Sequence, residues 1–186
     1  MENANNIIDL ILATNRLKTT PRTGWAVKGV PKFESVADHS HGVSLIALLL
    51  TDLIAEDLDR EKVLSMAVMH DLPESVTGDL SLGGSRLLPK GAKATAEKLA
   101  MDELMSGLDF GPRWQTLWQE FEDLASPEAR VVRDADRIDL LVQALVYERT
   151  TGTVQLEEFW RFAPVESFHF EESRQLIANL VARRKP

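Results

Sequence analysis

The chain has 186 residues, of which 44% are hydrophobic, with a formal net charge of −8 and a pI near 5.0. A chain of this length can bury one good hydrophobic core, so we expect a single domain over residues 1–186. The acidic balance excludes an extended footprint for a nucleic-acid polymer or an anionic membrane, but a small phosphorylated substrate needs only one or two local cations. The absence of cysteine excludes disulfides, thiolate zinc sites and cysteine nucleophiles.

The N-terminal stretch predicts a cytoplasmic protein. It carries Glu2 and Asp9 and lacks the basic region and long apolar core of a signal peptide. No apolar run in the sequence reaches the length of a membrane-spanning helix. We therefore expect a cytoplasmic location and no membrane partner.

Hydrophobic residues recur with helical spacing along almost the whole chain, which predicts an all-α fold. Two segments rich in glycine, proline or threonine, 18–33 and about 78–91, interrupt the pattern, and long irregular segments are often functional. The helices are predicted at about 3–17, 36–56, 60–71, 90–107, from Gly111-Pro112 onwards, 127–150, 153–162 and 164–183. The helix predicted at 127–150 has the clearest start, because Ser126 is a good N-cap and Pro127 suits the first helical position.

The segment MHDLPES, residues 69–75, is an unusual end for a helix, because His70 continues the apolar face of the preceding turns. Pro73 lacks a backbone N–H and biases Leu72 away from helical dihedral angles. The helix should therefore end at about Asp71, where the side chains of His70 and Asp71 can splay around a common ion. Pro73 can then begin a short new turn that presents Glu74.

A second histidine is also predicted to point inward. His39 shares one face of its helix with apolar residues, whereas His41 lies about 200° away and is the better candidate for an exposed residue. A histidine on an apolar face is ordinarily a hydrogen-bonded core residue. The aspartate beside His70 and the helix break favour a metal site instead.

The segment VVRDADRIDLL, residues 131–141, offers a further carboxylate ligand. Its candidates are Asp134, Asp136 and Asp139. Helical periodicity does not choose among them, because all three lie on or beside the apolar face.

These segments resemble the HD-domain metal-dependent phosphohydrolases, and among them the 5′-deoxynucleotidase (YfbR-like) branch. The resemblance covers roughly residues 7–150 and is carried by LKTTPRTGWAVKGVPKFESVADHSHGVSLIALLL, AVMHDLPESVTGDL and VVRDADRIDLLVQALVYE. It implies an HD-domain helical bundle that removes the 5′-phosphate from deoxyribonucleoside monophosphates. The family's ligand set, carried over by position, is His39, His70, Asp71 and Asp136. Asp134 and Asp139 then have structural or supporting roles.

One divalent ion is expected at this site. Dinuclear HD enzymes resemble this pattern but carry extra histidines before the last aspartate, and this chain has none between Asp71 and Asp136. Nitrogen and oxygen donors without a thiolate suit Mn²⁺, Co²⁺, Fe²⁺ or Ni²⁺ better than a closed structural zinc site. Such an ion lowers the pKa of water towards neutrality and polarises a phosphoryl oxygen, which favours hydrolysis of a phosphomonoester.

The resemblance also implies catalytic roles for Glu74 and Asp79. Glu74 would handle protons beside the ion and the leaving group, and Asp79 would assist it. An acid held near other carboxylates in a desolvated site has a raised pKa and can donate to a leaving alkoxide. The ordinary alternative is that Glu74 is a solvated acid in a first helical turn and Asp79 a loop residue.

The segment 18–33 supplies the expected substrate contacts. Arg22 can bind a phosphate as a bidentate fork, and Lys18 competes for that role. Trp25 can wall off a sugar or base. In the family the Arg and Trp are often adjacent, whereas here Thr23 and Gly24 separate them. The ordinary alternative for either cation is a solvated loop charge.

One helix carries the aromatic stripe Trp114, Leu117, Trp118 and Phe121. We expect it to be core or a dimer face rather than a base-stacking surface. Family members are commonly homodimers, and two tryptophans on one helix are compatible with a buried interface.

Two other functions stay open at this stage. An HD phosphohydrolase that cleaves guanosine tetraphosphate resembles this chain in size and ligands but tends to carry Glu-Asp where this chain has Glu74-Ser75. A non-catalytic nucleotide-binding HD protein would have a degenerate site, whereas the predicted ligand set here is intact.

Overall fold

The computed structural model describes residues 2–152 and 156–184, and these residues are helical without any strand. The all-α prediction is confirmed. The helices are α1 Glu2–Thr14, α2 Thr23–Val27, α3 Val36–Leu53, α4 Arg60–Met69, α5 Glu74–Thr77, α6 Leu82–Ser85, α7 Ala92–Leu104, α8 Gly111–Glu122, α9 Pro127–Thr151, α10 Glu157–Phe162 and α11 Glu171–Arg184. Two 3₁₀ turns, Asn15–Lys18 and Val165–Ser167, complete the set. Among the helices of this described part, none is long and apolar enough to cross a membrane.

The chain divides into two compact units. Unit 1 comprises Met1–Asp38 and Met69–Gln119, and unit 2 comprises His39–Val68 and Glu120–Pro186. The core of unit 1 is built from apolar side chains of α1, α7, α8 and the segments that join them: Leu10, Leu17, Val36, Met69, Leu72, Met101, Leu104, Met105, Leu108 and Trp118.

Helix α9 is the longest element of unit 2 and contacts both α10 and α11. It begins where the sequence predicts, because the Ser126 side chain accepts a hydrogen bond from the backbone N–H of Ala129 and Pro127 occupies the first turn. It ends at Gly152, whose φ of 66° is the left-handed conformation that glycine adopts readily.

The last helix differs from its prediction. A helix over 164–183 is expected from periodicity, but α11 begins only at Glu171. The reason lies in α9, where the buried Asp134 carboxylate accepts the backbone N–H groups of His169 and Phe170. An acid from another helix thus satisfies the N–H groups just before α11, which a sequence pattern cannot reveal.

The segment 18–33 is less irregular than predicted. It contains α2, and backbone hydrogen bonds from Arg22 N to Glu34 O (3.2 Å) and from Val36 N to Thr20 O (2.9 Å) close its ends together. Inside it, Trp25 is 1% exposed and donates its Nε1–H to Glu34 Oε1 at 2.8 Å. The segment is therefore an ordered hairpin-like loop with its own buried aromatic residue.

The aromatic stripe of α8 belongs to the interior. Trp118 and Phe121 are 3% and 2% exposed, whereas Trp114 is half-buried and packs on Phe110 with ring centroids 5.0 Å apart. The burial of Trp118 and Phe121 favours the core interpretation of this stripe.

Candidate active site

The end of α4 places His70 and Asp71 in unit 1. Helix α4 ends at Met69, two residues earlier than predicted, and the Leu72 N–H bonds to the Met69 carbonyl at 3.0 Å in a tighter turn. The His70 carbonyl, just past the end of α4, accepts the Nε1–H of Trp118 at 3.1 Å. As predicted, the chain then starts a short helical turn at Glu74.

His70 and Asp71 form a close imidazole–carboxylate pair. His70 Nε2 lies 3.2 Å from Asp71 Oδ2, and the histidine is 5% exposed. The helix break therefore brings these two neighbouring side chains together, as the sequence predicts.

Glu74 is buried on the first turn of α5. It is 3% exposed, and its Oε2 has no hydrogen-bond partner among the described residues. The pKa of Glu74 is raised to about 9, mainly by burial and also by the charges of Asp71 and Asp79, although Arg22 and Lys93 act to lower it. The carboxyl group is thus protonated at neutral pH, which does not fit a solvated first-turn acid.

Arg22 and Asp79 lie beside this group. Arg22 Nη1 is 3.7 Å from Asp79 Oδ1 and 3.8 Å from Asp71 Oδ2. Asp79 Oδ2 also accepts hydrogen bonds from the backbone N–H and the hydroxyl of Thr23, the latter at 2.7 Å. Asp79 therefore anchors the loop that carries Arg22.

The other two predicted substrate contacts differ in exposure. Trp25 is buried, and its indole N–H is bonded to Glu34, so its ring presents little surface in this conformation. Lys18 is exposed at the end of the 3₁₀ turn Asn15–Lys18.

His39 of unit 2 is held between two carboxylates of α9. Its Nδ1 lies 2.7 Å from Asp139 Oδ2, and its Nε2 lies 3.2 Å from Asp136 Oδ1. The histidine is 1% exposed, whereas His41 is exposed as predicted. A carboxylate on Nδ1 fixes the tautomer that keeps a lone pair on Nε2, the arrangement of a metal-ligating histidine.

A glycine on α3 makes this arrangement possible. A Cβ atom at Gly42 would clash with Asp139 Oδ1, so any side chain there would displace the carboxylate. Gly42 is three residues after His39 and therefore lies on the same face of α3. This spacing is a signal that sequence analysis could have used for Asp139.

Asp134 has a structural role in holding the segment before α11. Its buried carboxylate accepts the backbone N–H of His169 and lies 2.8 Å from His169 Nδ1. Of the three acids that periodicity left open, Asp136 and Asp139 contact His39, and Asp134 contacts the chain before α11.

The donor set fits a divalent metal ion. In unit 2, His39 and Asp136 offer an imidazole and a carboxylate, and in unit 1 His70 offers an imidazole; these are donors that a divalent ion accepts. Asp139 gives His39 the tautomer that ligation requires. Imidazole and carboxylate donors without a thiolate are typical of open catalytic sites in which water and substrate complete the coordination.

Sequence analysis missed Lys93 and did not assign the contacts that Asp139 and Trp118 make. Asp139 fixes the His39 ring, Trp118 caps the end of α4, and Lys93 of α7 places its Nζ 3.9 Å from Glu74 Oε1. Only Asp139 had a local signal, because it lies three residues after Asp136 on one helix. Trp118 and Lys93 reach the region from distant parts of the sequence.

Comparison with known proteins defines the class. A family model described as HD domain matches residues 14–172, and the chain belongs to the HD-domain family. Among curated relatives, 5′-deoxynucleotidase HDDC2 of Danio rerio is 33% identical over 184 residues, covering 97% of this chain and 88% of the relative. The 5′-deoxynucleotidase HDDC2 of Dictyostelium discoideum is 32% identical and covers 97% of this chain and 100% of the relative.

Solved structures agree on the fold. The PH0347 protein from Pyrococcus horikoshii has a TM-score of 0.81 and 36% identity, covering 96% of this chain and 99% of that one. A conserved hypothetical protein from Pyrococcus furiosus has a TM-score of 0.80, 36% identity and the same coverage.

Proposed function

We propose that this protein is a metal-dependent 5′-deoxynucleotidase, which hydrolyses deoxyribonucleoside monophosphates to deoxynucleosides and inorganic phosphate. The observation that carries the proposal is the buried, protonated Glu74 beside Asp71 and Arg22. It occurs in an HD-domain chain whose near-full-length relatives are named 5′-deoxynucleotidases.

His39, His70, Asp71 and Asp136 would hold one divalent ion. Two imidazoles and two carboxylates favour Mn²⁺, Co²⁺, Fe²⁺ or Ni²⁺ over a structural zinc. When bound, the ion supplies Lewis-acid chemistry: it lowers the pKa of water and offsets negative charge on the phosphoryl group.

Glu74 would act as the general acid. Its carboxyl group carries a proton at neutral pH because of burial, and it can pass that proton to the 5′-oxygen as the bond from phosphorus to this oxygen breaks. Water supplies the oxygen of the new bond to phosphorus, so the products are inorganic phosphate and a neutral 5′-hydroxyl. Asp79 would assist by holding Thr23 and Arg22 in place.

Arg22, Lys18 and Trp25 would contact the substrate. The Arg22 guanidinium, already 3.8 Å from Asp71, would bind the phosphate, with Lys18 as a further cation on the neighbouring turn. Trp25, which is buried and bonded to Glu34 in this conformation, would have to turn outwards to form the wall beside the deoxyribose. An apolar wall rejects an added hydroxyl by only about 10²-fold, so we expect a modest preference for deoxyribonucleotides over ribonucleotides.

The rival functions have less support. Ser75 follows Glu74, is 5% exposed and provides no second acid of the kind found in guanosine tetraphosphate hydrolases. A non-catalytic binding protein would have no need for a buried protonated acid beside the predicted ligands.

A nucleotide panel with and without added Mn²⁺ would separate the three functions. The purified protein should release phosphate from dAMP quickly, from AMP more slowly, and very little from dATP or guanosine tetraphosphate. Trp25→Ala should lower the ratio of kcat/KM for dAMP over AMP. Preferential cleavage of guanosine tetraphosphate, or no release from any nucleotide with metal present, would contradict the proposal.

The same proposal includes a single HD domain over residues 1–186, a homodimer and a cytoplasmic location. The family model spans 14–172 and therefore includes residues of both units, which supports one domain. Light scattering on the purified protein would test the dimer, and cell fractionation would test the location. No nucleic-acid polymer or membrane is proposed as a partner.

A further inference from the structure

Lys93 stands next to the proposed general acid without a role in the site described so far. Its Nζ lies 3.9 Å from Glu74 Oε1 and 3.0 Å from Glu97 Oε1. We propose that Lys93 is a phosphate-binding residue of the active site, held in place by Glu97. This inference rests on the proposed deoxynucleotidase function and extends its substrate contacts to α7.

Helix stability alone does not explain a lysine at this position. Lys93 is in the first turn of α7, where the helix dipole disfavours a positive charge. Its ion pair with Glu97 has the lysine on the N-terminal side, which is the weaker order for residues four apart. Lys93 therefore adds little to the stability of its own helix. Because α7 packs on α5, the position of Lys93 is better explained by its proximity to Glu74 of α5.

An oxygen that lies beside Lys93 Nζ and Glu74 Oε1 can contact both atoms at once. A separation of 3.9 Å is too long for a hydrogen bond, so Glu74 does not use the Lys93 donors directly. An ammonium group has three donors, and Glu97 accepts one of them. Glu74 also has a buried Oε2 with no hydrogen-bond partner among the described residues. A phosphate oxygen beside Glu74 would take up these unused hydrogen-bonding groups.

The local charges favour the same ligand. The charged neighbours that act on Glu74 are Asp71, Asp79, Arg22 and Lys93. With Glu74 protonated, these are two carboxylates and two cations, and Glu97, the partner of Lys93, adds a third carboxylate. Without Lys93, Arg22 alone would oppose the three carboxylates of this group, and their negative charge would repel a phosphate dianion.

Lys93 is charged at neutral pH. Burial lowers its pKa, but the charge and the hydrogen bond of Glu97 raise it, so the pKa is raised overall. A hydrogen-bonded cation of this kind changes phosphate affinity by roughly 10- to 100-fold when it is removed.

The test compares Lys93→Ala, Lys93→Arg and a matched control, Lys98→Ala. Lys98 lies on the same helix, pairs with Asp102 at 3.2 Å in the same i,i+4 arrangement, and has a side chain that is 60% exposed. Three quantities are measured in the Mn²⁺-loaded proteins: KM and kcat for dAMP, and the Kd of inorganic phosphate by calorimetry. We expect Lys93→Ala to raise both KM and Kd about 10-fold or more, Lys93→Arg to recover part of the loss, and Lys98→Ala to behave as the wild type.

Equal phosphate affinity in Lys93→Ala and Lys98→Ala would overturn the inference. So would a Lys93→Ala variant that melts at a lower temperature and turns over more slowly while phosphate affinity stays unchanged, because that result assigns Lys93 a structural role. If the wild type releases no phosphate from dAMP, the proposed function fails, and the calorimetric comparison still decides whether Lys93 binds phosphate.

Discussion

The histidine–aspartate contacts of His39 and of His70 are built in different ways. In unit 2, His39 lies on the 18-residue helix α3 and contacts Asp136 and Asp139 of the 25-residue helix α9. In unit 1, His70 and Asp71 lie in the turn after α4, next to the four-residue helix α5.

The difference suggests that one region orients a metal ligand and that the other also carries groups for proton transfer and phosphate binding. Side chains on long helices, with a carboxylate that fixes the imidazole tautomer, suit a ligand that must keep one orientation. A helix end gathers side chains that a regular helix would point apart, and here it gathers His70, Asp71, Glu74 and Arg22 near one another. We interpret the region around His39 as one that orients metal ligands, and the region around His70 as one that also transfers protons and binds phosphate.

The largest effect is expected from His70→Ala. Loss of this imidazole should remove both the bound metal and the hydrolysis of dAMP, because the remaining donors no longer complete the set. The protein should stay folded but melt at a lower temperature, since a metal bound only by the native state stabilises it. His41→Ala is the control, because His41 is exposed. Full metal content in an active His70→Ala variant would remove His70 from the site.

Glu74→Gln should depress kcat by roughly 10²–10⁴-fold while the metal stays bound. Glutamine has nearly the same shape but cannot transfer a proton to the leaving oxygen. Metal analysis and steady-state kinetics on the same sample would check both halves of this expectation. Near-normal turnover would show that Glu74 is not the general acid and would make the region around His70 a second one that orients metal ligands.

Asp139→Ala tests the other region and should weaken metal affinity about 10- to 100-fold. The substitution frees His39 Nδ1, so the ring can adopt the wrong tautomer or orientation. Asp139→Asn should lose less, because its amide oxygen can still accept the Nδ1–H bond. The measurement is metal titration into the chelator-treated proteins, and an affinity equal to the wild type would contradict the role of Asp139.

The smallest effect concerns stability and pH. The pKa of Glu74 is about 9 in the folded protein against an ordinary value of 4.5, so between these values the folded state keeps a proton that the unfolded state has released. Stability of the metal-free wild type should therefore fall as the pH rises through this window, whereas Glu74→Gln has no such proton.

The difference in melting temperature between Glu74→Gln and the wild type should therefore change in favour of the variant when the pH is raised from 5 to 8. A difference of 1 kcal/mol corresponds to about 2–4 °C for a protein of this size, and we expect at least that gain. Melting curves in chelator at both pH values would measure it. If the difference in melting temperature between the two proteins does not change with pH, the pKa of Glu74 is not raised in the folded protein.

The sequence predicted the long helices and the break at Pro73 because these depend on local spacing and on one residue's chemistry. The start of α9 at Ser126-Pro127 was predicted for the same reason. The start of α11 was predicted wrongly because Asp134, 35 residues earlier than His169, caps it. Local patterns contain no information about partners at such separations.

The candidate site shows the same limit. Periodicity indicated that His39 and His70 point inward, and both are buried. It could not separate Asp136 from Asp139, because only the contacts of His39 Nε2 and Nδ1 tell the two acids apart. Nor could it reveal Lys93, whose relation to Glu74 depends on the packing of α7 against α5.

If one divalent ion makes this chain a 5′-deoxynucleotidase, titration of the chelator-treated protein with Mn²⁺ should restore its activity. Phosphate release from dAMP is followed at each addition, together with the amount of bound Mn²⁺. We expect activity to be absent at the start and to rise in proportion to bound metal, with its maximum at one ion per chain. Full activity in protein without metal, or activity that appears only with a second bound ion, would show that a single ion is not what makes the protein active.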